Sequence, residues 1–255
     1  MTSKPIILVT GGNQGLGYET LKALAQTQKY HLVVAARSQS KAENAIQSLV
    51  LETSSDVNDF TPVVIDLADD KTIHSAADLI KTKFNHLDIL INNAGINRSP
   101  NDYATLREDL RAVFETNVFG VAVMNQTFLP LLRSSNHPRR RIVTVTSGMG
   151  MFGVAVTQSS PFNLWEYKVP VYRASKAAVN MLAAVENVEH EEEGIPTVLV
   201  CPGYCRTAFG GFRGHKGADE GGRVIARAAT EGENAEVGLR NGILDDEGKF
   251  GEFGW

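Results

Sequence analysis

Cysteine is scarce in this sequence, which has only Cys201 and Cys205 among its 255 residues. Two cysteines four positions apart do not make a disulfide framework. The six histidines are scattered and none flanks the pair, so the sequence predicts no metal site. Nothing near Cys205 in the sequence would activate its thiol, and we interpret it as a small wall residue rather than a nucleophile.

Long apolar runs and a strong excess of one charge are also missing. The first apolar segment, at 6–9, is far too short for a signal peptide, and no run approaches the length of a membrane span. The net charge of −4 provides no excess of positive charge of the kind that binds nucleic acid or an anionic membrane. The basic cluster at 139–141 is expected in a solvated loop. We therefore expect a soluble cytoplasmic protein with a small-molecule partner.

Short β-rich runs alternate with helical patterns along the whole chain. The apolar runs are continuous, as in strands that are covered by helices on both faces. This alternation predicts one α/β domain over 1–255, a doubly wound parallel sheet (a Rossmann fold) of about seven strands. The predicted strands are 5–10, 30–36, 61–65, 87–92, 141–147 and 197–201, with a last edge strand near the C-terminus. The predicted helices are 16–26, 41–51, 71–84, 103–132, 171–189 and 218–230.

A glycine-rich turn joins the first strand to the first helix. It reads Thr10-Gly11-Gly12-Asn13-Gln14-Gly15-Leu16-Gly17. Glycines allow the backbone to approach a pyrophosphate closely, and the helix N-terminus then offers N–H groups and a positive dipole end. A tight strand-to-helix turn without a ligand is the alternative. No Gly-Lys-Ser/Thr follows, so the turn is not a P-loop.

The end of the second strand indicates which cofactor the turn would hold. A site for NAD uses an acidic residue about 20 positions after the glycines, to bind the ribose 2′-hydroxyl. Arg37 and Ser38 occupy that place instead, and a guanidinium beside a hydroxyl suits a 2′-phosphate. The pattern favours NADP(H), although a surface arginine at a strand end would look the same.

Tyr172 and Lys176 begin a helix one turn apart. Residues at i and i+4 share a helix face, so the phenol and the ammonium can converge. A nearby cation lowers the pKa of a phenol, which makes the pair a candidate acid and base. Such pairs also occur by chance on amphipathic helices, so the rest of the site must decide.

Further polar residues fall where such a site needs them. Ser147 closes the fifth strand, at the sheet edge where open α/β sheets bind ligands. Asn117 lies inside a long helix, where an amide is a poor helix former unless it has a role. Asn93, Ala94 and Gly95 follow the fourth strand. Pro202 and Gly203 follow the sixth, with Thr207 just beyond.

Together these motifs resemble the short-chain dehydrogenase/reductase family. The family order is kept from Thr10 to about Thr207: T-G-x-x-x-G-x-G, Asp66-Leu67 after the third strand, N-N-A-G, the helix asparagine, the strand-end serine, Y-x-x-x-K and P-G. The chain is loosely similar to the carbonyl-reductase branch.

The resemblance implies a role for each matching residue. Tyr172 would protonate the carbonyl oxygen and Ser147 would hydrogen-bond it. Lys176 would bind the nicotinamide ribose and lower the pKa of the tyrosine, and Asn117 would hold a water that links Lys176 to solvent. Asp66 would contact the adenine, residues 93–95 the ribose side, and Gly203 and Thr207 the nicotinamide side. The full predicted cofactor set is Thr10, Gly11, Asn13, Gly15, Leu16, Gly17, Arg37, Ser38, Asp66, Leu67, Asn93, Ala94, Gly95, Tyr172, Lys176, Pro202, Gly203 and Thr207.

The leading functional hypothesis is an NADPH-dependent reductase of ketones or aldehydes. Alcohol oxidation by the same residues is the alternative within enzymes, and a catalytically silent nucleotide sensor is the alternative outside them. The intact set of Asn117, Ser147, Tyr172 and Lys176 argues against the sensor. A methyltransferase would need an acid where Arg37 stands. A hydrolase elbow fails because Val145 occupies the first glycine position of G-x-S-x-G.

Two segments are predicted to cover the substrate. The stretch between Ser147 and Tyr172 is longer than is usual in the family and carries an insertion at about 158–170, with Phe162, Trp165 and Tyr167. We interpret it as an aromatic lid that favours bulky or aromatic carbonyls; a surface flap or an oligomer contact is the alternative. The glycine-rich loop at about 207–222 is expected to close over substrate. A homodimer, a homotetramer and a monomer all remain open.

Overall fold

One continuous β-sheet forms the centre of the protein in a computed structural model that describes residues 4–102, 104–160, 162–166, 168–231, 243–244 and 250–251. Within these residues the strand order is β3-β2-β1-β4-β5-β6-β7-β8. The strands are β1 Ile6–Val9, β2 His31–Ala36, β3 Phe60–Val64, β4 Ile89–Asn92, β5 Arg141–Val145, β6 Thr197–Val200, β7 Ile243–Leu244 and β8 Phe250–Gly251. The first seven strands run parallel, and β8 is antiparallel to β7. The predicted doubly wound sheet is therefore confirmed.

Helices cover both faces of this sheet. They are α1 Gly15–Ala25, α2 Gln39–Thr53, α3 Asp70–Phe84, α4 Leu106–Phe114, α5 Gly120–Arg133, α6 Phe152–Val156, α7 Pro170–Glu189 and α8 Ala218–Thr230. The short helix α6 has no counterpart among the predicted elements.

The core consists of two apolar layers, one on each side of the sheet. Alternate strand residues point to opposite faces. Val9 packs with Leu21 of α1 and Ile225 of α8, whereas the preceding residue, Leu8, packs on the other side with Phe128 of α5. Full burial of such a side chain contributes about 1.5–3 kcal/mol. The two layers explain why the apolar runs in the sequence are continuous.

The chain reverses its winding direction between β1 and β4. These strands are neighbours in the sheet, with β2 and β3 beyond β1 and with β5 and β6 beyond β4. Ligands of open α/β sheets bind in the crevice that such a reversal leaves at the carboxyl ends of the strands. Thr10 and Asn93 follow β1 and β4 at that edge.

The single long helix predicted over 103–132 is wrong in detail. Thr105 caps α4, with its hydroxyl accepting from the backbone N–H of Glu108 at 3.4 Å, and a π-helical turn, Glu115–Phe119, separates α4 from α5. Residue 103 lies outside the described part of the chain. A π turn inserts one extra residue and shifts the faces of the two flanking helices, often at a functional site.

The prediction that the basic cluster at 139–141 lies in a solvated loop is wrong for Arg141. Arg141 is the first residue of β5 and is fully buried. One terminal nitrogen of its guanidinium donates to the carbonyl oxygens of Ala228 at 3.2 Å and Glu231 at 2.8 Å, at the C-terminal end of α8. A cation is favoured there because the last carbonyls of a helix carry a negative partial charge.

Candidate active site

The glycine turn has a backbone that only glycine adopts easily. Gly11 and Gly15 have φ angles of +65° and +55°, in the left-handed region. A Cβ atom on Gly17 would lie 2.3 Å from the carbonyl oxygen of Gly11. The turn is therefore tighter than residues with side chains would allow.

Hydrogen bonds tie this turn to the loop after β4. The Thr10 hydroxyl accepts from the backbone N–H groups of Asn93 and Ala94, each at 3.0 Å. The Asn93 side-chain amide donates to the Thr10 carbonyl at 2.9 Å. These bonds fix the two loops against each other at the point where the winding reverses.

The N-terminus of α1 is suited to an anion. Gln14 is the N-cap residue of this helix, and its side chain makes no capping hydrogen bond to the first turn. The space beside Gly15 is open up to Thr207, whose Cβ and Cγ2 atoms would lie 3.9 Å from a Cβ there. The Leu16 side chain packs on α8, where a Cβ on Gly221 would lie 2.8 Å from its Cδ2 atom. Uncapped N–H groups beside a glycine-lined space fit a phosphate, so the turn fits a nicotinamide dinucleotide.

The predicted adenine-side residues lie at the ends of β2 and β3, which are neighbours. Arg37 is exposed, and its guanidinium makes no hydrogen bond or ion pair within the described residues. The Ser38 hydroxyl lies 3.4 Å from that of Ser40. Asp66 accepts a hydrogen bond from the Ala68 N–H at 3.1 Å, and Leu67 is buried. The sheet thus brings these four predicted residues to one edge.

Tyr172, Lys176 and Ser147 meet at the ends of β5 and α7. The Tyr172 hydroxyl hydrogen-bonds the Ser147 side chain. The Lys176 ammonium lies 5.8 Å from the centre of the tyrosine ring and donates to the Val145 carbonyl at 2.8 Å. A Cβ on Gly150 would lie 2.7 Å from the Lys176 carbonyl carbon, so the turn after Ser147 packs directly on α7.

Burial dominates the electrostatics of this pair. It raises the pKa of Tyr172, to which the nearby Cys201 adds, while the Ser147 hydrogen bond lowers it. Burial also lowers the pKa of Lys176 to about 8. The net lowering of the tyrosine pKa expected from the sequence is therefore not found. At neutral pH the phenol carries its proton and can act as an acid.

Asn117 lies in the π turn and is almost fully buried. Its Oδ1 accepts from the Ile96 N–H at 2.8 Å, and its Nδ2 donates to the Ile96 carbonyl at 2.7 Å and to the Ser175 hydroxyl at 3.0 Å. Ser175 in turn donates to the Tyr172 carbonyl at 2.8 Å. Asn117 therefore connects the loop after β4 with the first turns of α7. Its predicted role as a water ligand stays a prediction.

Comparison with known proteins identifies the family. The model of the short chain dehydrogenase family matches residues 5–216. The short-chain dehydrogenase anuI of Penicillium roqueforti (strain FM164) is 54% identical over 253 residues, covering 99% of this chain and 98% of that protein. The short-chain dehydrogenase/reductase tropE of Talaromyces stipitatus is 32% identical, covering 93% and 95%. The chain belongs to the short-chain dehydrogenase/reductase family.

A solved structure agrees with this assignment. The NADPH-bound carbonyl reductase from chicken fatty liver superposes with a TM-score of 0.80 at 26% identity, covering 99% of both chains. This short-chain dehydrogenase is accordingly an oxidoreductase that uses a nicotinamide cofactor and acts on a small molecule. None of its helices in the described residues is long and apolar enough to span a membrane. The same residues contain no cluster of three or more groups able to hold a metal.

Phe209 packs on Tyr172 in this short-chain dehydrogenase, and two further aromatic residues form a second pair nearby; we call Phe162, Tyr204 and Phe209 the aromatic rim. The Phe209 ring lies 5.5 Å from that of Tyr172, and the Phe162 ring lies 6.2 Å from that of Tyr204, both edge-on. A Cβ on Gly210 would lie 3.2 Å from the Tyr204 ring, which connects the two pairs. The rim joins the 158–170 insertion to the 207–222 loop.

The two predicted lid segments stay predictions, although the structure places parts of them. In the first segment, Phe162 belongs to the rim and packs on Tyr204, whereas Trp165 is 60% exposed. Residue 167 lies outside the described residues. In the second segment, the Asn97 amide donates to the Phe209 carbonyl at 2.5 Å, linking the loop after β4 to the rim. The predicted wall residue Cys205 is buried, and its thiol donates to the Pro202 carbonyl at 3.3 Å.

Sequence reasoning missed four residues of this site. Tyr204 follows Pro202-Gly203 directly, so its position after a family motif was a usable signal. Cys201 lies beside Ser147, where its sulfur accepts from the Gly148 N–H at 3.4 Å. Asn97 and Arg173 carry no motif, and only the folded structure shows what they contact.

Proposed function

We propose that this protein is a cytoplasmic NADPH-dependent reductase that converts a ketone or aldehyde to an alcohol. The carrying observation is the Tyr172 hydroxyl, which hydrogen-bonds Ser147 within reach of Lys176, at the sheet edge beside the glycine turn. The same residues catalyse alcohol oxidation when the equilibrium is reversed. In the reductive direction Tyr172 begins as the protonated acid, which its raised pKa allows at neutral pH.

The bound cofactor supplies the hydride, and the residues of the chain handle the charge and the proton. Hydride addition to a carbonyl carbon leaves negative charge on the oxygen. Tyr172 and Ser147 each direct a hydroxyl to that oxygen, so they stabilise the transition state more than the substrate. Tyr172 then gives up its proton to form the alcohol. Lys176 is held by the Val145 carbonyl beside the phenol, and the family resemblance assigns it the nicotinamide ribose.

The choice of NADPH over NADH depends on the end of β2. Arg37 and Ser38 stand at the position where an acid would bind the 2′-hydroxyl of NAD, and an exposed guanidinium beside a hydroxyl suits a 2′-phosphate. The carbonyl reductase from chicken, which superposes over the whole chain, is bound to NADPH. Both observations favour the phosphorylated cofactor.

The aromatic rim supports a bulky or aromatic carbonyl as substrate. Phe209 stacks edge-on against Tyr172 itself, so a substrate carbonyl at the tyrosine hydroxyl has a ring within contact range. Phe162 and Tyr204 form the second edge-on pair of the rim, and Gly210, next to Phe209 in the chain, lies against the Tyr204 ring. Flat apolar groups pack well against such rings.

The deciding experiment measures NADPH oxidation with a panel of aldehydes, ketones and quinones, for the wild type and for Tyr172→Phe. Phenylalanine keeps the ring against Phe209 and removes the acid, so kcat should fall by about 10²–10⁴ while NADPH binding is kept. Tyr30→Phe is the matched control. Tyr30 precedes β2, at the amino end of the strands and away from Tyr172, so this variant should keep full activity. Near-wild-type turnover by Tyr172→Phe would refute the mechanism. NADPH binding without turnover of any carbonyl by the wild type would refute the function.

A further inference from the structure

Arg173 is a buried arginine next to the catalytic tyrosine. It follows Tyr172 on α7 and is only 6% exposed, although arginine is seldom buried unless its donors are paired. Burial lowers the pKa of its guanidinium. A buried guanidinium is costly unless its N–H groups are paired with acceptors. The acceptors of Arg173 therefore indicate what the residue holds together.

The guanidinium connects α7 to two other segments. Nη1 donates to the Met149 carbonyl at 3.2 Å, in the turn after Ser147. Nη2 donates to the Phe162 carbonyl and, at 3.4 Å, to the Asn163 carbonyl, both in the insertion. A planar guanidinium can serve three carbonyls in fixed directions, which a lysine cannot do from one point charge.

The insertion that Arg173 binds has its own internal order. Asn163 is buried, and its Nδ2 donates to the carbonyls of Gln158 at 3.1 Å and Ser160 at 2.7 Å. Its Oδ1 accepts from the backbone N–H groups of Trp165 at 2.9 Å and Glu166 at 3.1 Å. Residues 158–160 and 162–166 are thus hydrogen-bonded around one asparagine, and Arg173 attaches this part of the insertion to α7.

Arg173 holds the insertion at the residue that enters the rim. The carbonyl it binds belongs to Phe162, whose ring packs on Tyr204. We propose that Arg173 is a positioning residue for substrate specificity: it fixes Phe162 relative to the Tyr172 hydroxyl and so sets the fit of bulky carbonyls. This inference rests on the proposed reductase function and on the rim as the substrate wall.

The test compares a small and a bulky substrate, propanal and a naphthyl methyl ketone, with NADPH. Arg173→Met keeps most of the side-chain volume and removes the donors. We expect KM for the ketone to rise by about tenfold or more, the loss typical of charged hydrogen bonds, with kcat less affected. KM for propanal, which is too short to reach the rim, should change by less than about threefold. A general loss of structure would move both substrates together.

Two further variants keep the test decisive if Arg173→Met folds poorly. Asn163→Ala disrupts the insertion from inside without touching the guanidinium, and should show the same selective rise in KM for the ketone. In the double variant the two effects should be less than additive, because both act through the insertion. Arg173→Lys keeps the charge but not the planar set of donors, so its KM for the ketone should lie between those of the wild type and Arg173→Met. Arg223→Met, at an exposed position on α8, is the control and should behave as the wild type.

The outcomes separate this inference from the proposed function. If Tyr172→Phe leaves the turnover of both substrates intact, the reductase mechanism is wrong. If Tyr172→Phe abolishes both turnovers but Arg173→Met shifts both substrates equally, or neither, Arg173 does not set specificity. A selective effect of Arg173→Met without any effect of Asn163→Ala would also overturn the inference, because the arginine would then act through Met149 alone.

Discussion

Asn117 pairs with both polar groups of the Ile96 backbone, accepting from its N–H at 2.8 Å and donating to its carbonyl at 2.7 Å. A primary amide suits this pairing because it carries an acceptor oxygen and a donor nitrogen side by side. Ile96 follows the N-N-A-G segment, while Asn117 lies in the π turn between α4 and α5. The pairing therefore fixes the loop after β4 to the π turn, which Asn117 also joins to Ser175 of α7.

Replacement of this amide should be costly. Asn117→Ala leaves a backbone donor and a backbone acceptor without their partner, and each buried loss costs about 1–3 kcal/mol. We expect the free energy of unfolding to fall by about 2–4 kcal/mol, measured by urea denaturation. Gln126→Ala, an exposed amide on α5, is the control and should change it by less than about 0.5 kcal/mol. A loss no larger than that of the control would contradict the role given to Asn117.

The sequence singled out Asn117 but not the π turn that carries it. Apolar periodicity over 103–132 is helical throughout, and helix propensity does not distinguish a π turn from an α-helix. The break depends on tertiary contacts. Asn117 turns toward Ile96, and a Cβ on Gly120 would lie 2.3 Å from the Leu67 carbonyl, which draws this segment against the loop after β3.

Local sequence pattern was sufficient to predict the backbone elements and the residues that share a helix face, but not the direction of the Tyr172 pKa shift. The strands are apolar on both faces, the glycine turn has the φ angles that its glycines suggested, and Tyr172 and Lys176 share a helix face. Arg141 shows the limit: its charge argued for solvent, but its partners Ala228 and Glu231 come from the distant end of α8. The rim is equally non-local, because Phe162 and Tyr204 meet only through the fold.

Cofactor preference can be tested at Arg37. If the guanidinium binds the 2′-phosphate, Arg37→Ala removes a charge-assisted contact, and KM for NADPH should rise by about ten- to a hundredfold. KM for NADH should stay within about twofold, because NADH lacks that phosphate. Steady-state kinetics with both cofactors measures this, with Arg107→Ala on α4 as an exposed control. An equal loss with NADPH and NADH would contradict the assignment.

Glu186 on α7 should make stability depend on pH. Burial raises its pKa to about 7, although the Asn125 amide donates to it at 2.7 Å. A carboxyl whose pKa is raised on folding contributes stability below its unfolded pKa and loses that contribution as the pH rises through about 7. Glu186→Gln keeps a carbonyl oxygen for Asn125 and cannot ionise.

The Glu186→Gln variant should therefore become more stable than the wild type as the pH rises. Near pH 5 the two should unfold with similar free energies, and above pH 8 the variant should be more stable by about 2 kcal/mol, allowing for the partial exposure of the group. Thermal or urea unfolding across this range measures the difference. Glu43→Gln, at an exposed position on α2, should show no such trend. A difference that is constant with pH would mean that Glu186 is not desolvated as the structure indicates.

Lys176 should impose the opposite dependence on pH. Burial lowers its pKa from 10.5 to about 8, so between these values the native protein releases a proton that the unfolded chain retains. Where the unfolded state binds more protons, stability rises with pH. Relative to Lys176→Met, the wild type should therefore gain about 1.4 kcal/mol for each pH unit above 8, with a constant difference below it. Urea unfolding between pH 7 and 10 measures this, and Lys71→Met, exposed on α3, is the control. A flat difference above pH 8 would show that the Lys176 ammonium stays charged beside Tyr172 throughout this range.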